Sequence, residues 1–189
     1  MEDRWAQSEN ERVTSNMIRL GVVSALDEAS ARIKVTAGGV ETDWIPWAAS
    51  RAGATRVWSA PRIGEQMMVL SPYGDMAQAV AVGGIFQTDH PAPASSKDNE
   101  RTIYPDGTTI DYDSANNTLT VTVSGNGKVI VNCKEATINA TTKVELNTPT
   151  VHATGDILAD GDVKAGSISL KTHKHGDVQA GGSQTGTPV

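Results

Sequence analysis

Aromatic residues are scarce in this chain, and they stop altogether at Tyr112. Residues 113–189 must therefore pack with Val, Ile, Leu, Ala and Thr, which suits a thin structure better than a globule. The four tryptophans, Trp5, Trp44, Trp47 and Trp58, all lie in the first third, where an ordinary core can form around large side chains. Cysteine is nearly absent, and Cys133 alone excludes an intrachain disulfide. It falls in a run of inward apolar positions, so it is expected to be a small buried core residue. Basic charge is also short: 16 Lys and Arg against 22 Asp and Glu leave a net charge of −6. An acidic surface repels phosphate backbones and anionic lipid heads, so nucleic acid is not an expected partner. No apolar run approaches the roughly 20 residues that span a bilayer. Met1-Glu2-Asp3-Arg4-Trp5 lacks the apolar core of a signal peptide. Synthesis in the cytoplasm, without export by the general route, is the expectation.

What remains is mostly β pattern. Residues 1–16 are polar and read as a short helix or a flexible arm that orders by docking. Residues 17–87 read as five short strands. Ala31-Arg32-Ile33-Lys34-Val35-Thr36 alternates as a half-buried strand does. Gly38-Gly39 marks a hairpin turn, and Pro46 ends the third strand or places it at an edge. Five strands with one longer connection after the third predict a small barrel of the OB type. Residues 88–100 are a linker stiffened by Pro91 and Pro93.

From about 101 to 170 short alternating strands repeat between Gly, Asn, Asp and Pro turns. Ile110 and Tyr112 share a face, as do Leu119, Val121 and Val123, and then Val129, Val131 and Cys133. The opposite faces carry Thr, Ser, Asn, Lys, Asp and Glu. This apolar face has no second layer within the chain, so something must cover it. A single-chain β-solenoid is one solution. Three chains wound about a shared axis are the other, and small inward side chains favour them. About nine rungs at a strand spacing of about 4.8 Å give a shaft on the order of 40 Å.

Residues 171–189 follow the last strand and carry His173-Lys174-His175. In an extended strand residues i and i+2 point the same way. One chain thus offers two imidazoles, which is a weak site. A threefold assembly multiplies them to six nitrogen donors. Imidazole suits Fe, Ni, Cu and Zn, and six nitrogens favour iron or nickel over four-coordinate zinc. Such a closed site would be structural, not catalytic.

In this setting the chain resembles the baseplate assembly protein V family, the central spikes of contractile phage tails and R-type pyocins. The resemblance rests on Arg19-Leu20-Gly21-Val22-Val23, Trp44-Ile45-Pro46-Trp47, Trp58-Ser59-Ala60-Pro61-Arg62-Ile63-Gly64-Glu65-Gln66, Ser71-Pro72-Tyr73-Gly74-Asp75, Tyr104-Pro105-Asp106-Gly107-Thr108 and the terminal His173-Lys174-His175. It implies an all-β protein: an N-terminal OB-fold barrel, then an intertwined homotrimeric β-helix with a metal-bound apex. It implies one iron per trimer, held by six His side chains, His173 and His175 of each copy. It further implies that the N-terminal and OB region attaches to the tail hub and baseplate, and that the needle meets the target's outer membrane first. Calcium and chloride ions occur in the shafts of some members. Asp156, Asp160 and Asp162 are candidates for a calcium, although solvated turn carboxylates are the reading favoured here.

The expected function is a non-enzymatic, membrane-piercing spike in a phage virion or pyocin particle. Three alternatives were weighed. A hydrolase lacks room, since the linker leads directly into the shaft, and Asp111 and Asp113 share one strand face with no pocket implied. An OB binding module could stack ligands on Trp44, Trp47 and Trp58, but basic partners are few. A receptor-binding fibre needs a distal head, and 14 residues follow His175.

Overall fold

The computed structural model describes residues 2–174 and 181–182. It divides into two units, residues 1–131 and 132–189. The first unit opens with helix α1 (Glu2–Met17), which runs straight into strand β1 (Ile18–Asp27). Strands β2 (Arg32–Ala37), β3 (Val40–Glu41), β4 (Ile45–Pro46), β5 (Gln66–Leu70) and β6 (Val80–Ile85) follow.

All neighbours along the sheet are antiparallel: β1 pairs with β2 and β5, β5 with β6, and β2 with both β3 and β4. The sheet then closes. Trp47, just past β4, bridges Ala81 on β6, and Ala48 N–H donates to the Ala81 carbonyl at 2.8 Å. With β3 and β4 counted as one interrupted strand, this is a five-stranded closed barrel. Closure removes the open edges that would otherwise template aggregation.

Alternation explains what fills the barrel. Val23, Ile33, Val35, Ile45, Met67, Val69, Ala79 and Ala81 are buried together, with Leu26, Trp47 and Met76 against them. The expected third strand is broken at residues 42–44 for a local reason. The buried Thr42 side chain accepts the Val35 N–H at 3.0 Å, so a side chain takes the place of a backbone acceptor. The fifth strand of the barrel, β6, starts only at Val80. Residues Met76–Gln78 form a 3₁₀ turn capped by Asp75, whose carboxylate accepts the Ala77 N–H at 3.0 Å.

The N-terminal segment resolves as helix, and its docking has a steric cause. The turn Pro72–Gly74 places Gly74 at φ +68 against the α1 backbone, where a Cβ would lie 2.7 Å from the Val13 carbonyl oxygen. Only glycine combines that φ with that approach. At the other end of the barrel Gln87 Nε2 donates to the Gly64 carbonyl at 2.6 Å and ties the start of the linker down. Beyond it, β7 (Asn99–Ile103), β8 (Thr109–Asp113) and β9 (Thr118–Thr122) form an antiparallel meander.

In the second unit the described strands are the two-residue pair β10 (Lys164–Ala165) and β11 (Ile168–Ser169), turned at Gly166. Cys133 is exposed within the single chain, contrary to the expected burial.

Gly21 provides a test of barrel packing. A Cβ there would meet Val35 Cγ1 at 2.5 Å and the Thr36 carbonyl oxygen at 2.7 Å, so β1 and β2 would have to separate. Gly21→Ala is expected to destabilise the barrel by about 1–3 kcal/mol, the usual cost of overpacking. Urea unfolding followed by tryptophan fluorescence measures it, and an unchanged midpoint would contradict the packing described.

Candidate functional site

The register of β7, β8 and β9 sorts their side chains by face. Opposed residues share a face, which puts Ile110, Tyr112, Leu119 and Val121 together, with Glu100 and Thr102 at its β7 edge. Leu119 is 66 % and Val121 55 % exposed, so this apolar face has no cover within one chain. The other face is mostly polar. Arg101 pairs with Asp111, and its Nη1 donates to the Pro93 carbonyl at 3.3 Å. Asp113 caps the turn that follows, accepting from Ala115 N–H at 2.9 Å and Asn116 Nδ2 at 2.8 Å. Asp111 and Asp113 are thus engaged in an ion pair and a turn cap, not set as a pair of catalytic carboxylates.

Residues 128–162 carry the same problem further. No backbone–backbone hydrogen bond joins any of them to another described residue. Their apolar side chains stand open: Val131 is 75 %, Ile138 76 % and Ile157 74 % exposed.

The turn leading to His173 is hydrogen-bonded locally. Ser169, at the end of β11, organises the turn after it. Its Oγ accepts from Lys171 N–H at 3.2 Å and from Thr172 N–H at 3.0 Å. Its carbonyl accepts the His173 backbone N–H at 3.0 Å. The same carbonyl lies 2.8 Å from His173 Nδ1. A carbonyl can only accept, so Nδ1 carries the proton there. Metal-binding histidines commonly turn their second ring nitrogen to such a carbonyl. The donor chemistry of His173 therefore fits a metal. His175 and most of the expected apex lie outside the described residues. Among the described residues of one chain, no group of three or more His, Cys, Asp or Glu could hold a metal. Asp156 and Asp160 are exposed, and Asp162 Oδ1 accepts the Lys171 N–H at 3.2 Å.

Three of the tryptophans make ring contacts. Trp47 packs on the core and meets Trp58 edge-on, with ring centroids 5.4 Å apart. Lys34 Nζ sits over the Trp44 ring at 5.4 Å. A stacking platform needs open parallel faces, and this geometry does not supply them. A cleft of about 580 Å³ lies where the linker meets the barrel, lined by Arg62, Glu65, Phe86, His90, Pro91 and Ile103. Glu65 there holds its own turn, accepting the Arg62 N–H at 2.9 Å. No described helix is long and apolar enough to cross a membrane.

Comparison with known proteins finds similarity at both ends of the chain and over most of its length. Residues 19–86 match the family model of the type VI secretion system/phage-baseplate injector OB domain. Residues 167–189 match the GpV apex motif. The chain is 32 % identical to the spike protein of Escherichia phage P2, over 94 % of this chain and 95 % of that protein.

Asp113 gives a pH-dependent test. The Asn116 side-chain amide, then its backbone N–H, hold the Asp113 carboxyl below the ordinary carboxylate range. A depressed folded value means the cap stabilises above the unfolded pKa near 3.9 and is lost as pH falls through the lower folded value. Carboxyl-carbon NMR is expected to show Asp113 titrating below that value. A midpoint at or above it would contradict the cap.

Proposed function

The chain belongs to the phage-baseplate spike family, and we propose that three copies form a rigid, non-enzymatic spike at the tip of a contractile-tail baseplate. The uncovered face of β8 and β9, continued by the unpaired extended chain of residues 128–162, carries this reading. Such a chain gains neither ladder hydrogen bonds nor burial on its own. Two further copies about a threefold axis supply both, and closed cyclic assembly leaves no free edge. The result is a narrow column of interchain hydrogen bonds around a continuous core of small aliphatic side chains.

Function follows from stiffness. Sheath contraction pushes the column through the outer membrane of the target cell, and the barrels stay with the tail hub and baseplate. No turnover is needed, and the carboxylates at residues 111 and 113 already have structural duties. His173 and His175 of the three copies would hold an iron at the distal end. An ion bound there adds a cross-link between chain ends that would otherwise fray. The Ser169 carbonyl fixes the His173 tautomer and ring in advance.

Elemental analysis of the purified protein tests the assignment. One iron per three chains is expected, falling to background in His173→Ala. The assembled shaft is expected to survive that substitution, because the ion clamps the ends and the faces hold the column. No stoichiometric metal in the native protein would contradict the apex site. Metal retained by His173→Ala would remove His173 from it.

A further inference from the structure

The barrel carries a second uncovered apolar face, on its outside. The register of β1, β5 and β6 places Ile18 beside Leu70 and Val80, and Leu20 beside Met68 and Val82. Ile18 is 62 % and Leu20 56 % exposed, and no charged side chain interrupts the six. Large contiguous apolar patches of this kind mark interaction sites.

The same unit has an apolar anchor without a seat. Helix α1 touches its own barrel through its C-terminal half, where Val13 meets Gly74. Its first two turns are polar apart from Trp5 and Ala6, and Trp5 is 73 % exposed. Sixteen residues make a helix of about 24 Å, which places Trp5 about 12 Å along the axis from the Val13 contact. A polar helix of that length is marginal without packing. Trp is also the residue type most enriched among binding hot spots.

We propose that the first two turns of α1, led by Trp5, seat on the outward β1–β5–β6 face of a second copy of this chain. Its own barrel is not available to it. Met17 passes directly into Ile18 with no connecting residue, and the Gly74 contact pins the helix, so α1 cannot fold back over β1. The copies that share the proposed shaft are the nearest alternative. Tethering through a short linker raises their effective concentration to about millimolar. Helix to face, copy to copy, is a heterologous contact that closes on itself after three steps. This inference rests on the trimeric reading above and adds a clasp at the barrels.

Amide hydrogen exchange on the full-length protein tests it, with mass by light scattering on each sample. Residues 4–12 are expected to be protected in the native trimer. Leu20→Glu is expected to speed their exchange at least tenfold while the mass stays that of three chains. Trp5→Ala serves as a second variant, expected to speed exchange of residues 4–12 likewise with the barrel core still protected. Exchange of residues 4–12 at free-peptide rates in the native trimer would overturn the clasp and leave the spike reading intact. So would protection that is indifferent to Leu20→Glu, which points to another occupant. A native mass of one chain would overturn both.

Discussion

An extended chain cannot hold its shape alone. Fixing backbone into one conformation costs about 1–2 kcal/mol per residue, and a sheet offsets that cost through ladder hydrogen bonds and burial of one face. Among the described residues of one chain, residues 128–162 have no ladder hydrogen bonds and leave their apolar side chains exposed. The rest of the structure depends on this constraint. It accounts for a stretch, residues 128–162, that alternates apolar and polar residues yet has no backbone partner among the described residues. It also gives the two histidines a use that one chain could not provide.

The barrel is the counterpart. Its ring of strands closes on itself through Trp47 and Ala81, and its core is complete in one copy. The two parts are suited to different tasks. A self-sufficient barrel can be held by other proteins without losing its fold. In the proposed assembly, a column hydrogen-bonded across chains would resist bending, and the apolar faces of the meander and of the outer barrel would be the surfaces through which copies meet.

Much of this was legible in the sequence, and the gaps have physical reasons. Ile33 and Val35 announced β2 by alternation, and Gly38-Gly39 its turn. The split of the third strand was hidden, because it depends on one side-chain hydrogen bond from Thr42. Strand β7 begins at Asn99, within the stretch expected as linker, and its Asn-Glu-Arg-Thr run is too polar to read as strand. Its pairing is fixed across the ladder by Arg101 and Asp111, which no local pattern reveals. The polar N-terminal segment left helix and arm open, and Gly74 against Val13 shows what holds it. Cys133 was expected inside; its phase is inward only if another copy lies on that side. At the distal end the His-x-His spacing was visible, but the tautomer of His173 depends on the Ser169 carbonyl four residues earlier.

The central claim is that this fold is completed by two further copies of itself. Sedimentation equilibrium over a wide dilution range measures it most directly. The account predicts a single species of three times the 19.9 kDa chain, unchanged as protein is diluted to nanomolar concentration. A stable, folded single chain with a compact distal half would contradict it.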